Sequence, residues 1–113
     1  MYSSARDMAL FLAANLGELP VERSLREAIT LAHQDVWIIG PQSRQALAWE
    51  VLGGDALTIV EKYGGLHNAS AYIGIMPRRR LGIVILGNRG KQYPNEVGRR
   101  ILLELAASRR LRA

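Results

Sequence analysis

The sequence predicts an α+β fold: an antiparallel sheet of three to four strands flanked by helices. Three observations carry that expectation. The first third of the chain has apolar residues at helical spacing, the middle has consecutive short apolar runs with links of hairpin length, and the end returns to helical spacing. Consecutive strands joined by short links pair antiparallel, because a parallel pair needs a long crossover. With 113 residues, one domain is the most the chain can hold. It reads as a single partial domain over 1–113, with a helical segment at 1–36 and antiparallel strands plus a closing helix at 45–107.

Each element has a local reason. Ser4-Ala5-Arg6-Asp7 reads as a capping box with Asp in place of Glu, and Ala5, Met8, Ala9, Leu12 and Leu16 then share a face until Gly17 stops the helix. That stripe, with Phe11, reads as core packing and not as a cofactor box. After Leu19-Pro20, Ser24-Leu25-Arg26-Glu27 reads as a second capping box, with Leu25, Ala28, Ile29 and Ala32 as its buried stripe. From Gly40-Pro41 the period changes to two. Gln45 to Leu52 alternates, with Leu47, Trp49 and Val51 on one side, and Gly53-Gly54-Asp55 turns the chain.

Leu57 to Lys62 is rich in β-branched residues and is expected to break at Gly64-Gly65. Ala69 to Met76 and Leu81 to Leu86 are two further strands, and Pro77-Arg78-Arg79-Arg80 is short enough to close a hairpin between them. Pro94 suits the first turn of a helix whose buried stripe is expected at Val97, Ile101, Leu102 and Leu105, running to about Ala107. No repeat or low-complexity segment interrupts this order.

Composition removes several function classes. The absence of cysteine excludes a disulfide framework, thiolate-bound zinc, an iron–sulfur cluster and a cysteine nucleophile. Two histidines, His33 and His67, and scattered carboxylates have no metal-ligand spacing, so no cofactor or metal is expected. His33 and Asp35 with a serine could spell a triad, but no spacing defines one, and a helix-end or loop histidine is the ordinary reading. The mean hydropathy of 0.00 is that of a folding chain. Apolar runs such as Ile83 to Leu86 are far short of a bilayer span, and Asp7 interrupts an N-terminus that has no basic region of a signal peptide.

The formal charge of +5 comes from 15 basic against 10 acidic residues. It is concentrated at Arg78, Arg79 and Arg80 and at Arg99, Arg100, Arg109, Arg110 and Arg112. No aromatic residues interleave there to stack bases, and no nucleic-acid-binding motif is present, so the clusters read as a charged turn and a solvated tail.

One ordered set of motifs is more specific. Lys62-Tyr63-Gly64, Tyr72-Ile73-Gly74-Ile75-Met76-Pro77, Leu81-Gly82-Ile83-Val84-Ile85-Leu86-Gly87-Asn88-Arg89 and Tyr93-Pro94-Asn95 together resemble the C-terminal third of class C β-lactamases. The wider group is the penicillin-recognising serine hydrolases, which include D-peptidases and lactamase-like esterases. The helix at Ser4-Ala5-Arg6-Asp7-Met8 and the run Gln45-Ala46-Leu47-Ala48-Trp49-Glu50 also resemble that family's elements in order. The resemblance therefore covers nearly the whole chain.

That resemblance implies acyl transfer to β-lactams, D-amino-acid peptides or esters in the parent protein, which would be periplasmic or exported if it follows the family. It also implies roles by position. Lys62 matches the lysine of the Lys-Thr-Gly strand, which lies beside the nucleophile; a fixed cation there favours an anionic partner and lowers a neighbouring phenol's pKa. Gly65 matches the residue whose backbone N–H joins the oxyanion hole. Tyr63, Gly64 and Asn95 would face the substrate, and His67, by its place after the glycine pair and apart from the resemblance, is a further candidate contact. From the residues alone, Lys62 is equally a strand-end lysine in solvent, Gly65 a turn glycine and Asn95 a helix-start residue.

Two departures qualify the match. Tyr63 stands where the family has a threonine, as in the aromatic-Gly-Gly variants of esterases and peptidases, and two more residues separate Asn88 from Tyr93. The family's nucleophile is a serine in Ser-x-x-Lys, where lysine one turn away assists deprotonation. The residues three after Ser3, Ser4, Ser24, Ser43, Ser70 and Ser108 are Arg6, Asp7, Glu27, Ala46, Ile73 and Leu111. None is lysine, so the expectation is a fragment without its nucleophile, inactive alone and apt to pair with the missing N-terminal portion or with itself through an exposed strand edge or apolar face.

Overall fold

The computed structural model describes residues 2–112, with side chains as far as residue 108. Two helices, α1 (Ala5–Asn15) and α2 (Arg23–Ala32), precede six strands: β1 (Trp37–Gly40), β2 (Ser43–Gln45), β3 (Glu50–Leu52), β4 (Ile59–Leu66), β5 (Ala69–Met76) and β6 (Leu81–Gly87). Helix α3 (Pro94–Arg112) closes the chain. The strands form one sheet in sequence order, and every neighbouring pair is antiparallel. The sheet is larger than expected because β1, β2 and β3 have only 4, 3 and 3 residues, too short for an alternation to register in the sequence.

Side-chain alternation along β4 and β5 divides the core in two. Val60, Ile73 and Ile75 join Ala46, Trp49 and Val51 on one face, with Met8, Leu12 and Leu16 of α1 laid over them. Ile59 and Met76 point to the other face, where Leu102 and Ala106 of α3 cover them. Helix α1 lies mainly across β6, and α3 across β5 and β6.

The first helix forms as its sequence demands: the Ser4 hydroxyl accepts from the Asp7 amide at 3.1 Å, and Gly17, at φ +76°, takes the left-handed turn that ends it. The second differs. Helix α2 begins at Arg23, so Ser24 lies inside it and caps nothing, and Glu27 is held by Arg23 at 3.0 Å instead of reaching back. Leu25 and Ala28 stay exposed, and only Ile29 and Ala32 of the expected stripe are half-buried. They border a groove with Phe11 and Trp49, whose rings stack at 6.3 Å.

Further corrections follow from turns that polar spacing alone does not reveal. The expected strand from Gln45 to Leu52 is split, because Ala46–Trp49 turns with Ala48 at φ +64°, leaving Leu47 exposed while Trp49 and Val51 are buried. Asp55–Leu57 forms a 3-10 turn, so β4 begins at Ile59. It also runs through Gly64-Gly65, which pair with Ala71 and Ser70, and the chain reverses at His67-Asn68 instead. Among the α3 residues with described side chains, Pro94, Gly98, Leu102 and Ala106 are buried, whereas Val97 and Leu105 are exposed. An i, i+4 stripe through a proline and a glycine is invisible to a search for bulky apolar residues.

The three-arginine link is a 3-10 turn ending on Arg80 in the left-handed region. Arg78 is solvated, while Arg80 reaches α1 and donates from Nε to Glu18 at 2.5 Å, tying the hairpin to the helix end. Glu18 is held below the usual carboxylate range by that hydrogen bond. The side chains of Arg109, Arg110 and Arg112 lie outside the described residues.

Candidate functional site

The sequence-predicted site residues gather at one end of β4. Strand β3 pairs with β4 at Ile59, Val60 and Glu61, so among the described residues the outer edge of β4 from Lys62 to Leu66 has no strand partner. Beyond the same end, Tyr63, Gly64, Gly65 and Asn95 line an open cleft of about 300 Å³ with Leu66, Ser70, Lys91, Tyr93 and Pro94. Its walls are therefore the hairpin arm of β4 and the start of α3.

Lys62 does not line this cleft. It alternates with Tyr63 and so points to the α1 face of the sheet, in register with Ile73, and is exposed there. The lysine and the cleft thus flank the same open edge from opposite faces. His67 sits exposed at the hairpin tip, outside the cleft lining.

The loop from Asn88 to Tyr93, whose extra residues broke the positional match, is pinned from below. The buried Ser70 hydroxyl donates to the Arg89 carbonyl at 2.7 Å and accepts from the Gln92 amide at 3.4 Å. Gly90 packs so closely on the His67 carbonyl that a side chain there would collide with backbone. Lys91 and Tyr93 then take left-handed conformations, φ 57° and 49°, before Pro94 starts the helix. Tyr93 and Tyr63 are exposed phenols on the cleft walls.

Beneath the site lies a group that motif reading did not single out. Glu61 is fully buried, at 0% exposure, and faces α3. Arg99 Nε donates to its two oxygens at 2.7 and 3.1 Å, and Arg99 Nη2 lies 2.5 Å from Oε1. That bonding holds the guanidinium above its ordinary value. Tyr72 is buried beside them, and its hydroxyl has no hydrogen-bond partner among the described residues. Burial first, and the Glu61 carboxylate second, push its phenol above the usual range. The available signal was an acid at a core-facing position of a β-branched strand, two residues after Ile59.

The His33 and Asp35 pair is drawn elsewhere. His33 Nε2 bonds Asn15 Oδ1 at 2.9 Å and its ring meets Trp49 edge-on at 5.3 Å, while Asp35 pairs with Arg44 at 3.1 Å. Burial lowers the His33 pKa. Neither is joined to a serine in these contacts. Among the described residues no group of three or more His, Asp or Glu is placed to hold a metal, and no helix is long and apolar enough to cross a membrane.

With this geometry in hand, comparison with known proteins is direct. The protein-family model described as Beta-lactamase matches residues 1–108. The chain belongs to the beta-lactamase family. A beta-lactamase of Lysobacter lactamgenus is 28% identical over 118 residues, which cover 77% of this chain and 30% of that protein. One from Psychrobacter immobilis is 28% identical over 124 residues, covering 82% and 30%. Among solved structures, a D-alanine carboxypeptidase from Burkholderia cenocepacia superposes with TM-score 0.76 at 23% identity, over 88% of this chain and 38% of that one. A class C beta lactamase from Rhodobacter sphaeroides gives 0.71 at 25%, over 98% and 38%. This beta-lactamase-family chain therefore spans about a third of the length of the relatives it matches, and its six-stranded antiparallel sheet with three helices is a part of their fold.

Proposed function

We propose that this chain supplies the substrate-facing wall of a serine hydrolase site that works on β-lactams, D-amino-acid peptides or esters through an acyl-enzyme. The observation that carries this reading is the open edge of β4 between Lys62 and Leu66, flanked by Lys62 on one face and the Asn95 cleft on the other. An extended substrate can lie along such an edge as an added strand. With Leu66 and Ala69 closing a two-residue hairpin, the alternation of the ladder sends the Gly65 N–H to that open edge, where it can stabilise charge developing on a carbonyl oxygen.

Lys62 would supply a fixed positive charge near the reacting carbonyl, holding a substrate carboxylate and keeping a neighbouring phenol's pKa low. Tyr63, Gly64 and Asn95 would bind the substrate from the cleft side, with His67 as a contact reachable only from the hairpin tip. The bulky Tyr63 phenol narrows the room for a fused bicyclic ring and favours peptides and esters over β-lactams. The serine nucleophile would come from a Ser-x-x-Lys segment that these residues do not contain, so the chain alone would not turn over substrate.

A chromogenic cephalosporin and a short-chain nitrophenyl ester, each incubated with the chain and followed by absorbance and intact mass, test this reading. No turnover and no serine adduct are expected; an adduct on a serine of this chain would overturn it. The competing reading is a non-catalytic module that assembles through an exposed strand edge. It draws on the four consecutive exposed apolar residues Val36, Trp37, Ile38 and Ile39 at the β1 edge.

A further inference from the structure

Lys62 and Asn95 come from elements 33 positions apart in sequence, and something must fix their relative placement. The buried Glu61 and its partner are adjacent to both. Glu61 immediately precedes Lys62, and Arg99 follows Asn95 by one helical turn. We propose that the Glu61–Arg99 ion pair is a positioning device, setting the register of β4 and the seat of α3 so that Lys62 and Asn95 flank one open strand edge. The proposal rests on the functional reading above for what the two residues do, and on geometry for how they are held.

The register of β4 is fixed stereochemically. Slipping β4 by one residue would turn Glu61 to the α1 face and drive Lys62 against α3, since successive side chains alternate. Lys62 would then face the half-buried Arg99, cation against cation. Only the observed register places a carboxylate under the guanidinium, with Nε and Nη2 both engaged. A buried pair of this kind adds little net stability relative to apolar residues, and its best-attested use is to select one arrangement among alternatives.

The helix is fixed by the same contact. Gly74, in register with Glu61, and Gly98, next to Arg99, both lack a side chain where the Tyr72 ring lies. The ring therefore fills the space between sheet and helix, lets α3 approach closely, and keeps water from the carboxylate. Helix α3 can neither slide over the sheet nor tilt without pulling Arg99 off Glu61. Asn95, on the same helix face, moves with it.

Nuclear magnetic resonance of the isotope-labelled full chain tests this. The signals to follow are the Gly64 and Gly65 amides, the Lys62 ammonium and the Asn95 side-chain amide, in the native chain and in Glu61→Gln, Arg99→Lys and the packed double variant Glu61→Leu/Arg99→Met. Positioning predicts that Glu61→Gln shifts the β4 and Asn95 signals together, that Arg99→Lys restores part of the native pattern, and that the double variant stays folded with both sets displaced. Arg80→Ala, which breaks the exposed pair with Glu18, should leave them in place. Unmoved Lys62 and Asn95 signals in a folded Glu61→Gln or double variant would overturn the proposal. Titrating phenylacetate into the native chain separates the two claims: failure to perturb Lys62 counts against the functional reading, while the variant spectra still decide the positioning role.

Discussion

The ring of Tyr72 occupies the space that a side chain on Gly98 would need, so α3 rests directly on the buried phenol. Gly98→Ala should therefore destabilise the fold despite improving helix propensity. A Cβ there would lie well inside van der Waals contact with a Tyr72 ring carbon, which puts the overpacking cost toward the upper end of about 1–3 kcal/mol and above a propensity gain of about 1 kcal/mol. Urea denaturation should show a lower midpoint with unchanged slope, and adding Tyr72→Leu should recover part of the loss. A Gly98→Ala chain as stable as the native one would mean that α3 does not pack this closely.

Removing one partner of the Glu61–Arg99 pair, whose carboxylate is buried and whose guanidinium is half-buried, should be far worse than removing both. Arg99→Ala strands the Glu61 carboxylate without compensation and should cost about 3–5 kcal/mol, whereas Glu61→Leu/Arg99→Met should be near neutral. Denaturant melts of the two variants, side by side, check the order. Equal losses would place Glu61 in contact with water.

Acid should weaken the junction of α1, α2 and the sheet through His33. Burial depresses its folded-state pKa below the ordinary imidazole value. The unfolded state therefore takes up the proton first, so the stability from a neutral buried His33 is fully present above about pH 6.5 and is lost as pH falls through the lower folded value. Melting temperatures at pH 7.5 and 5.5 should differ more for the native chain than for His33→Gln. Identical pH slopes would remove His33 from the account.

The β1 edge should make the chain self-associate. Trp37 and Ile38 are 72% and 76% exposed on a strand with one side unpaired, an arrangement that invites edge pairing. Light scattering across a concentration series should show growth in mass that Ile38→Lys suppresses. A monodisperse monomer at all concentrations would count against it.

Much of this was legible in the sequence, for identifiable reasons. Ala69–Met76 is long and apolar enough to define itself, and Ser4 and Gly17 bracket α1 by chemistry that needs no tertiary partner. The short strands were not legible: β2 and β3 exist because a turn at Ala48 folds Ser43–Gln45 against Glu50–Leu52, a local hairpin whose three-residue arms are too short for alternation to mark. The cleft residues Tyr63, Gly64, Gly65 and Asn95 were found through motif order, but motif order does not reveal that Lys62 faces the other side of the sheet. Nor could it pair Glu61 with Arg99, since a buried acid and a helical arginine look like surface charge until the fold brings them together.

The central claim is that this chain carries the Lys62 side of an acyl-transfer site and not its nucleophile. Peptide-mapping mass spectrometry after exposure to a chromogenic cephalosporin tests it most directly, with the chain alone and mixed with the N-terminal two thirds of a class C β-lactamase. The account predicts label only in the mixture, on the serine of the added segment, and its loss with Lys62→Met. Label on any of Ser3, Ser4, Ser24, Ser43, Ser70 or Ser108 of this chain, or labelling of the mixture that survives Lys62→Met, would contradict it.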